Sequence, residues 1–388
     1  MEEQQITLRE KRWHSIASSV KVAIRRGELS SGMRIPSETE MAAQWNVSPM
    51  TVHRALTDLQ REGWVVRRPK VGTVVADREM RPLTRIGLVF PTLSDQPQSD
   101  YLAGIEDTLR EGYQLLPFRT GGRGVVEASV LERAETECDA VICYATSDPA
   151  NTPLINRLAE EIPVLFVDRL PDGVAADVVA TDNQGSIIQG LRHLYAEGHR
   201  RIAYFMEDSP HVSAVRERRA GYAQFMTESG AADPLRWLRV LPTGIPQEVY
   251  YRRVETLLIE LLTEDEPITA VACQQALTMT AVLEACVRLG IKPPSELGVL
   301  GFNDHSAGHQ ALARDCHRLV QRSVEMGHMA AKRIEHRLST PGIPAQQTRV
   351  MADFFPAKIY QPSPAVVAFL ERKADGVALI GAKHLVAE

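Results

Sequence analysis

SPMTVHRALTDLQRE, residues Ser48 to Glu62, is the stretch on which the reading of this chain turns. Serine caps the free amides of a helix start, so Ser48 marks an N-terminus. Pro49 suits the first helical turn, where its missing N–H costs nothing. Val52, Ala55, Leu56 and Leu59 recur at helical spacing and give one apolar face. Met50, Thr51, His53 and Arg54 are left near the helix start on the outer side. A capped helix with an exposed first turn suits the major groove of DNA, its N-terminal amides beside phosphates.

The flanking sequence supplies the rest of a small domain. Upstream, Trp13, Ile16, Val20, Ala23 and Ile24 mark an amphipathic helix ending at Gly27. Pro36 and Ser37 punctuate a loop, and Met41, Ala42 and Trp45 form the inner face of a short second helix. Beyond Gly63 come two β-rich runs, Trp64–Val66 and Thr73–Ala76, around a basic turn with Pro69 and Gly72. Three helices followed by a two-stranded ribbon predict a winged helix-turn-helix, an α+β fold.

From these residues the segment resembles the DNA-binding domain of the GntR family of bacterial regulators, over nearly all of residues 9–77. The family's glycine-to-glutamate run stands here as Gly32-Met33-Arg34-Ile35-Pro36-Ser37-Glu38, and its VS-x-x-TV-x-x-AL-x-x-L core as Val47 through Leu59. The resemblance implies that Arg34 holds a phosphate and that Ser48, Met50, Thr51, His53 and Arg54 face the groove. It places Lys70 at the wing tip, and Ser37 joins this DNA-binding set. Several members carry arginine where Thr39, Pro49 and His53 stand here.

Bulk properties fit a head of this kind on a larger body. At 388 residues, two or three domains are expected, and 44% hydrophobic with 24% charged residues is ordinary for a globular chain. Residues 1–80 hold thirteen lysines and arginines against ten acidic residues, +3, which leaves −8 for the rest of a −5 chain. A small basic head fits local DNA binding better than wholesale coating of nucleic acid. The five cysteines are scattered and form no C-x-x-C, so buried thiols in a reducing compartment are expected, without metal or disulfide framework. The N-terminus is polar, and no uncharged apolar run reaches membrane-spanning length. A cytoplasmic protein without membrane partner is expected.

Asp77–Thr84 is polar, carries Pro82 and reads as a linker. From Arg85, apolar runs at 86–90, 140–144, 164–168, 201–205, 270–273 and 298–302 alternate with helix candidates at Tyr101–Glu111, Asn183–Glu197, Val215–Ser229, Val249–Leu262 and Leu277–Leu289. Buried runs alternating with helices imply parallel sheets covered on both faces, and about 275 residues suggest two α/β lobes. In such sheets ligands gather at the carboxyl ends of strands, with the cleft between lobes the natural place for a small molecule. Asp168-Arg169, Cys273-Gln274 and Asn303-Asp304 follow strands, Arg218 opens a helical segment, and Phe90 or Tyr101 supplies an aromatic. Carboxylate, guanidinium and amide groups beside aromatics suit a polyhydroxylated ligand.

This half resembles the effector domain of the LacI/GalR family, itself similar to periplasmic sugar-binding proteins. RIGLVFPTLSD, VLFVDR, VATDNQGSIIQGLRHLYAEGHRRIAYF, RERRAGYAQF, LGVLGFND and VEMGHMAAKRIEHRL carry the match, from about Arg85 to Tyr360. The resemblance implies a two-lobed α/β periplasmic-binding-protein-like fold of type I. It places Asp168 and Arg218 where the family binds its effector and Asn303 on a family aspartate. Tyr101, Arg169 and Cys273 complete the candidate effector set. Relatives typically read Ala-Asn-Asp where this chain has Ala272-Cys273-Gln274.

The expected organisation is a DNA-binding domain at 1–76, a linker at 77–84, an effector and dimerisation domain at 85–360 and a tail at 361–388. The expected function is a non-enzymatic, sugar-responsive transcription repressor of the chimeric build found in arabinose-responsive repressors. Its partners would be double-stranded operator DNA, a sugar or sugar derivative and a second copy of itself, with no cofactor, catalytic residue or metal. A regulator whose sensor answers to a protein partner or to no metabolite is the alternative. Fusion to a pyridoxal-phosphate enzyme is a further one, but it needs a Schiff-base lysine. Lys292, Lys332, Lys358, Lys373 and Lys383, the lysines of the large domain, offer no convincing site for it.

Overall fold

The computed structural model describes residue 13 and residues 15–17, 19–21, 23–24, 28–77, 83–109, 111–302, 316–340 and 342–357. The tail at 361–388 and most of the linker lie outside them. The chain forms two compact units. The first comprises Met1–Asn183, Ser209–Glu217 and Gln321–Ala352, and the second Gln184–Asp208, Arg218–Val320 and Asp353–Glu388. The chain therefore passes from one unit to the other five times.

At the start of the first unit, the described residues between 13 and 24 are helical. Then follow α1 (Glu38–Trp45), α2 (Pro49–Arg61), β1 (Val65–Arg68) and β2 (Gly72–Val75). Local chemistry sets these boundaries. Ser37 and Glu40 form a capping box at the start of α1, and Asn46, left-handed at φ 49°, ends it. Ser48 caps α2 with Pro49 directly behind it. Ile16, Val20, Ile24, Met41, Val52, Leu56, Leu59, Trp64 and Val75 close into one core. Trp45 departs from expectation and is 37% exposed: it ends α1, and the turn at Asn46 leads the chain away from the core.

The rest of the first unit is a parallel α/β lobe. Its strands are β3 (Thr84–Phe90), β4 (Tyr113–Arg119), β5 (Ala140–Cys143), β6 (Val164–Val167), β7 (Asp177–Thr181) and, late in the sequence, Gln347–Val350. The last of these pairs with β7, and the order onward is β7-β6-β5-β3-β4, parallel throughout. Helices Gln98–Thr108 (α3), Gly124–Glu137 (α4) and Thr152–Glu161 (α5) connect the first strands. Along β5, Ala140 and Ile142 belong to one apolar cluster and Val141 and Cys143 to another, so both faces are covered. α3 packs on Ser323–Ser339 at closest approach through glycine: a Cβ at Gly104 would lie 2.1 Å from the Val324 carbonyl oxygen.

The second unit repeats the plan. Helices α6 (Asn183–Ala196), α7 (Ser213–Glu228), α8 (Gln247–Leu262) and α9 (Ala276–Leu289) run beside β8 (Ile202–Glu207), β9 (Leu238–Leu241), β10 (Ala270–Cys273), β11 (Gly298–Phe302) and β12 (His317–Val320). Ser323–Ser339, now α10, and Gln347–Val350, β13, belong to the first unit, whereas β14 (Asp353–Phe355) returns to the second. The sheet order is β14-β12-β11-β10-β8-β9, with only β14 antiparallel. All five cysteines are buried and unpaired to one another. Among the described residues, no helix is long and apolar enough to cross a membrane.

Candidate functional site

Three groups of polar side chains stand out, one on the winged head and one at the strand ends of each lobe. On the head, Met50 is 73% exposed while Val52 and Leu56, in the same helix, are buried. The Ser48 hydroxyl takes the Thr51 amide at 3.3 Å and lies 2.8 Å from the Thr51 hydroxyl, which fixes the first turn of α2. His53 Nδ1 lies 2.9 Å from Glu38 Oε1, and the same oxygen accepts from Arg67 Nη2 at 3.0 Å. Arg34 is exposed and bridges to Val74, so residues 33–35 extend the ribbon of β1 and β2. Lys70 occupies the turn of that ribbon at φ 64°.

Two predicted DNA residues have intramolecular roles here. The Ser37 hydroxyl is engaged by the capping box, donating to Glu40 Oε2 at 2.7 Å and accepting from the Glu40 amide at 3.3 Å. The Ser37 hydroxyl and the Ser37 amide, both donating to Oε2 at 2.7 Å, hold the Glu40 carboxyl below the usual carboxylate range. The Arg54 guanidinium stacks over Trp13 at 4.7 Å, which turns it toward the N-terminal helical stretch.

In the first lobe, Asp168 follows β6 in a left-handed conformation, φ 70°, and is buried. Its Oδ2 accepts from Arg169 Nε at 2.8 Å and its Oδ1 from Gln321 Nε2 at 3.0 Å. Gln321 Nε2 also reaches Thr181 Oγ1 at 2.7 Å. Arg169 lies over the Tyr144 ring at 4.6 Å and donates to the Tyr144 hydroxyl at 2.6 Å. Burial opposes the charge on Arg169, but Tyr144 and Asp168 outweigh it and raise its pKa further. Tyr101 is fully buried, 6.2 Å from the Tyr144 ring, and burial with the nearby Asp168 charge raises its phenol. Tyr101, Asp168 and Arg169 are thus brought together around Tyr144. Sequence reasoning missed Tyr144 and Gln321, although each ends or follows a strand, where polar groups collect.

In the second lobe, Arg218 on α7 is 5% exposed, stacks 3.5 Å over Phe302 and donates to the Gln274 carbonyl at 2.7 Å. Gln274 Oε1 in turn accepts the Glu207 amide at 2.6 Å. Gln275 Nε2 donates to Glu207 Oε1 at 2.5 Å, while burial raises the Glu207 carboxyl. Cys273 is 0% exposed, and burial lifts its thiol well above the ordinary range. The structure therefore places Cys273 in the core of the sheet, with the polar frontage formed by its neighbours. Asn303 lies outside the described residues.

One further cluster has metal-ligand chemistry. His193, Glu197 and His317 bring ligand atoms within 4.8 Å of one another. Buried His317 accepts the Ala357 amide at Nδ1, 3.1 Å, so its proton sits on Nε2 and points to Glu197 at 2.9 Å. A metal at Nε2 would need that nitrogen's lone pair, so the arrangement is a hydrogen-bonded network.

Comparison with known proteins agrees with this geometry. Residues 14–75 match the family described as bacterial regulatory proteins, gntR family, and residues 191–354 match the periplasmic binding protein-like domain. The chain is 26% identical to the arabinose metabolism transcriptional repressor of Geobacillus stearothermophilus, over 80% of this chain and 88% of that one. Its fold is similar to the transcription regulator CcpA of Lactococcus lactis, with TM-score 0.61 over 72% of this chain and all of that one, at 17% identity. A complex of the transcriptional regulator CelR with cellobiose gives TM-score 0.60, 20% identity and coverage of 80% and 90%.

Proposed function

We propose that this joining of a GntR-type winged helix-turn-helix to a periplasmic-binding-protein-like domain is a bacterial transcription repressor released from its operator by a sugar. One observation carries the reading: a helix with a capped, exposed first turn shares a chain with a sensor-type fold that carries Asp168 and Arg169 after a strand and Arg218 on a helix. α2 enters the major groove, with Met50, Thr51 and His53 toward base edges and Lys70 on the backbone beside it. Asp168, Arg169 and Tyr144 bind hydroxyls of the effector, since carboxylate accepts where guanidinium donates, and Arg218 is a further effector contact. Two copies of the chain present their heads to half-sites about one helical turn apart. The sugar acts by binding the low-affinity state of the protein more tightly than the DNA-bound state.

The test is fluorescence anisotropy of the full chain on the promoter nearest its own gene, with a sugar panel added, beside thermal shift against the same panel. Saturable binding relieved by a sugar that also raises the melting temperature is the expected result. Absence of DNA binding would overturn the reading. DNA binding with no response to any sugar would favour a sensor that answers to a protein partner.

The role of Arg34 is checked separately. Arg34→Ala is expected to weaken binding to all sequences alike and to reduce the slope of log affinity against log salt by about 1. An unchanged slope would remove Arg34 from the phosphate contacts.

A further inference from the structure

The contact between Glu38, His53 and Arg67 fixes more than a side-chain position. A carboxylate oxygen can only accept, so the hydrogen between His53 Nδ1 and Glu38 Oε1, 2.9 Å apart, belongs to the histidine. Arg67 Nη2 is farther from Nδ1, 3.3 Å, than from Glu38, 3.0 Å, and its hydrogen serves the carboxylate. With the proton held on Nδ1, the neutral ring offers a lone pair at Nε2. Among the described residues none bonds Nε2, and the imidazole is 45% exposed. It stands one helical turn from Met50, on the outer side of α2.

We propose that His53 is a specificity-determining residue that reads an exocyclic amino group, adenine N6 or cytosine N4, by accepting its hydrogen at Nε2 in the major groove. Arginine at this place would do the opposite, donating to guanine N7 and O6. Glu38 is the positioning residue, because it excludes the tautomer that would turn Nε2 into a donor. Arg67 balances the Glu38 charge, which would otherwise face the DNA phosphates alone. The inference rests on α2 being the groove-reading helix, and it goes further in naming the chemistry read.

The experiment uses the full chain, in one buffer throughout. A preferred site is first selected from a random duplex library. Each adenine or cytosine of that site is then replaced in turn by an analogue lacking the exocyclic amino group, and each guanine by its 7-deaza form. Binding is measured for wild type, His53→Ala and Glu38→Gln. One amino deletion is expected to weaken wild type roughly five- to tenfold and to leave His53→Ala unaffected, which isolates the pair. Glu38→Gln, whose amide can donate to Nδ1 and release the opposite tautomer, is expected to lose most of that discrimination. The inference is overturned if no amino deletion is coupled to His53, if the coupled position is a guanine, or if Glu38→Gln discriminates like wild type. Failure of the wild type to select any sequence would instead sink the DNA-binding reading itself.

Discussion

Arg218→Gln is expected to abolish the response to sugar while leaving operator binding within about twofold of wild type. Loss of charge-assisted hydrogen bonds from a buried guanidinium costs about 2–3 kcal/mol, or roughly 30- to 150-fold in sugar affinity. Arg218 also stacks on Phe302 and holds the Gln274 carbonyl, so the unliganded melting temperature must be measured alongside. A small drop without sugar and no rise with it is the predicted pattern. A variant with a wild-type rise in melting temperature would remove Arg218 from the effector site.

The second large effect is structural. At Gly104 any side chain meets backbone: its Cβ would sit 2.1 Å from the Val324 carbonyl oxygen, and at Gly327 it would sit 2.3 Å from that of Tyr101. Neither neighbour can rotate away, so α3 and α10 must separate and the cluster of Tyr101, Ile105, Met326 and Ala330 must open. Gly104→Ala is therefore expected to destabilise the first lobe by about 3 kcal/mol or more, against less than about 0.5 kcal/mol for Ala103→Ser on the exposed side of the same helix. Calorimetry checks this. Equal melting temperatures for the two variants would show that the helices do not meet at these glycines.

Much of this was legible in the sequence because local chemistry decided it. Ser48, Pro49 and the apolar spacing of Val52, Ala55, Leu56 and Leu59 give α2 as it stands, and helices 183–196 and 247–262 fall within two residues of expectation. Strands β4 and β9 escaped notice for a physical reason. Both lie at sheet edges and so lack the continuous apolar run of a doubly covered strand, and β4 carries Pro117. At the strand ends, Asp168 and Arg169 were recognisable by position alone. Their partners Tyr144 and Gln321 were not, because only tertiary packing brings Gln321 to Asp168 across 153 residues of chain. Cys273 is the last residue of its strand yet fully enclosed, and Gln274 after it is also buried, its side-chain oxygen taken up by the Glu207 amide. The stacking of Arg54, expected to face the groove, over Trp13 was not legible either, because it joins two helical stretches about forty residues apart.

The five passages of the chain between its two units bear on biosynthesis. Neither sheet is complete until its final strand, Gln347–Val350 for one and Asp353–Phe355 for the other, has been translated. Residues up to 77 hold a self-contained core, so the nucleic-acid grip can mature on the ribosome while the sensing machinery waits for almost the last codons. A message truncated before the codon for Gln347 would therefore yield the gripping part with both sheets left short of their last strands.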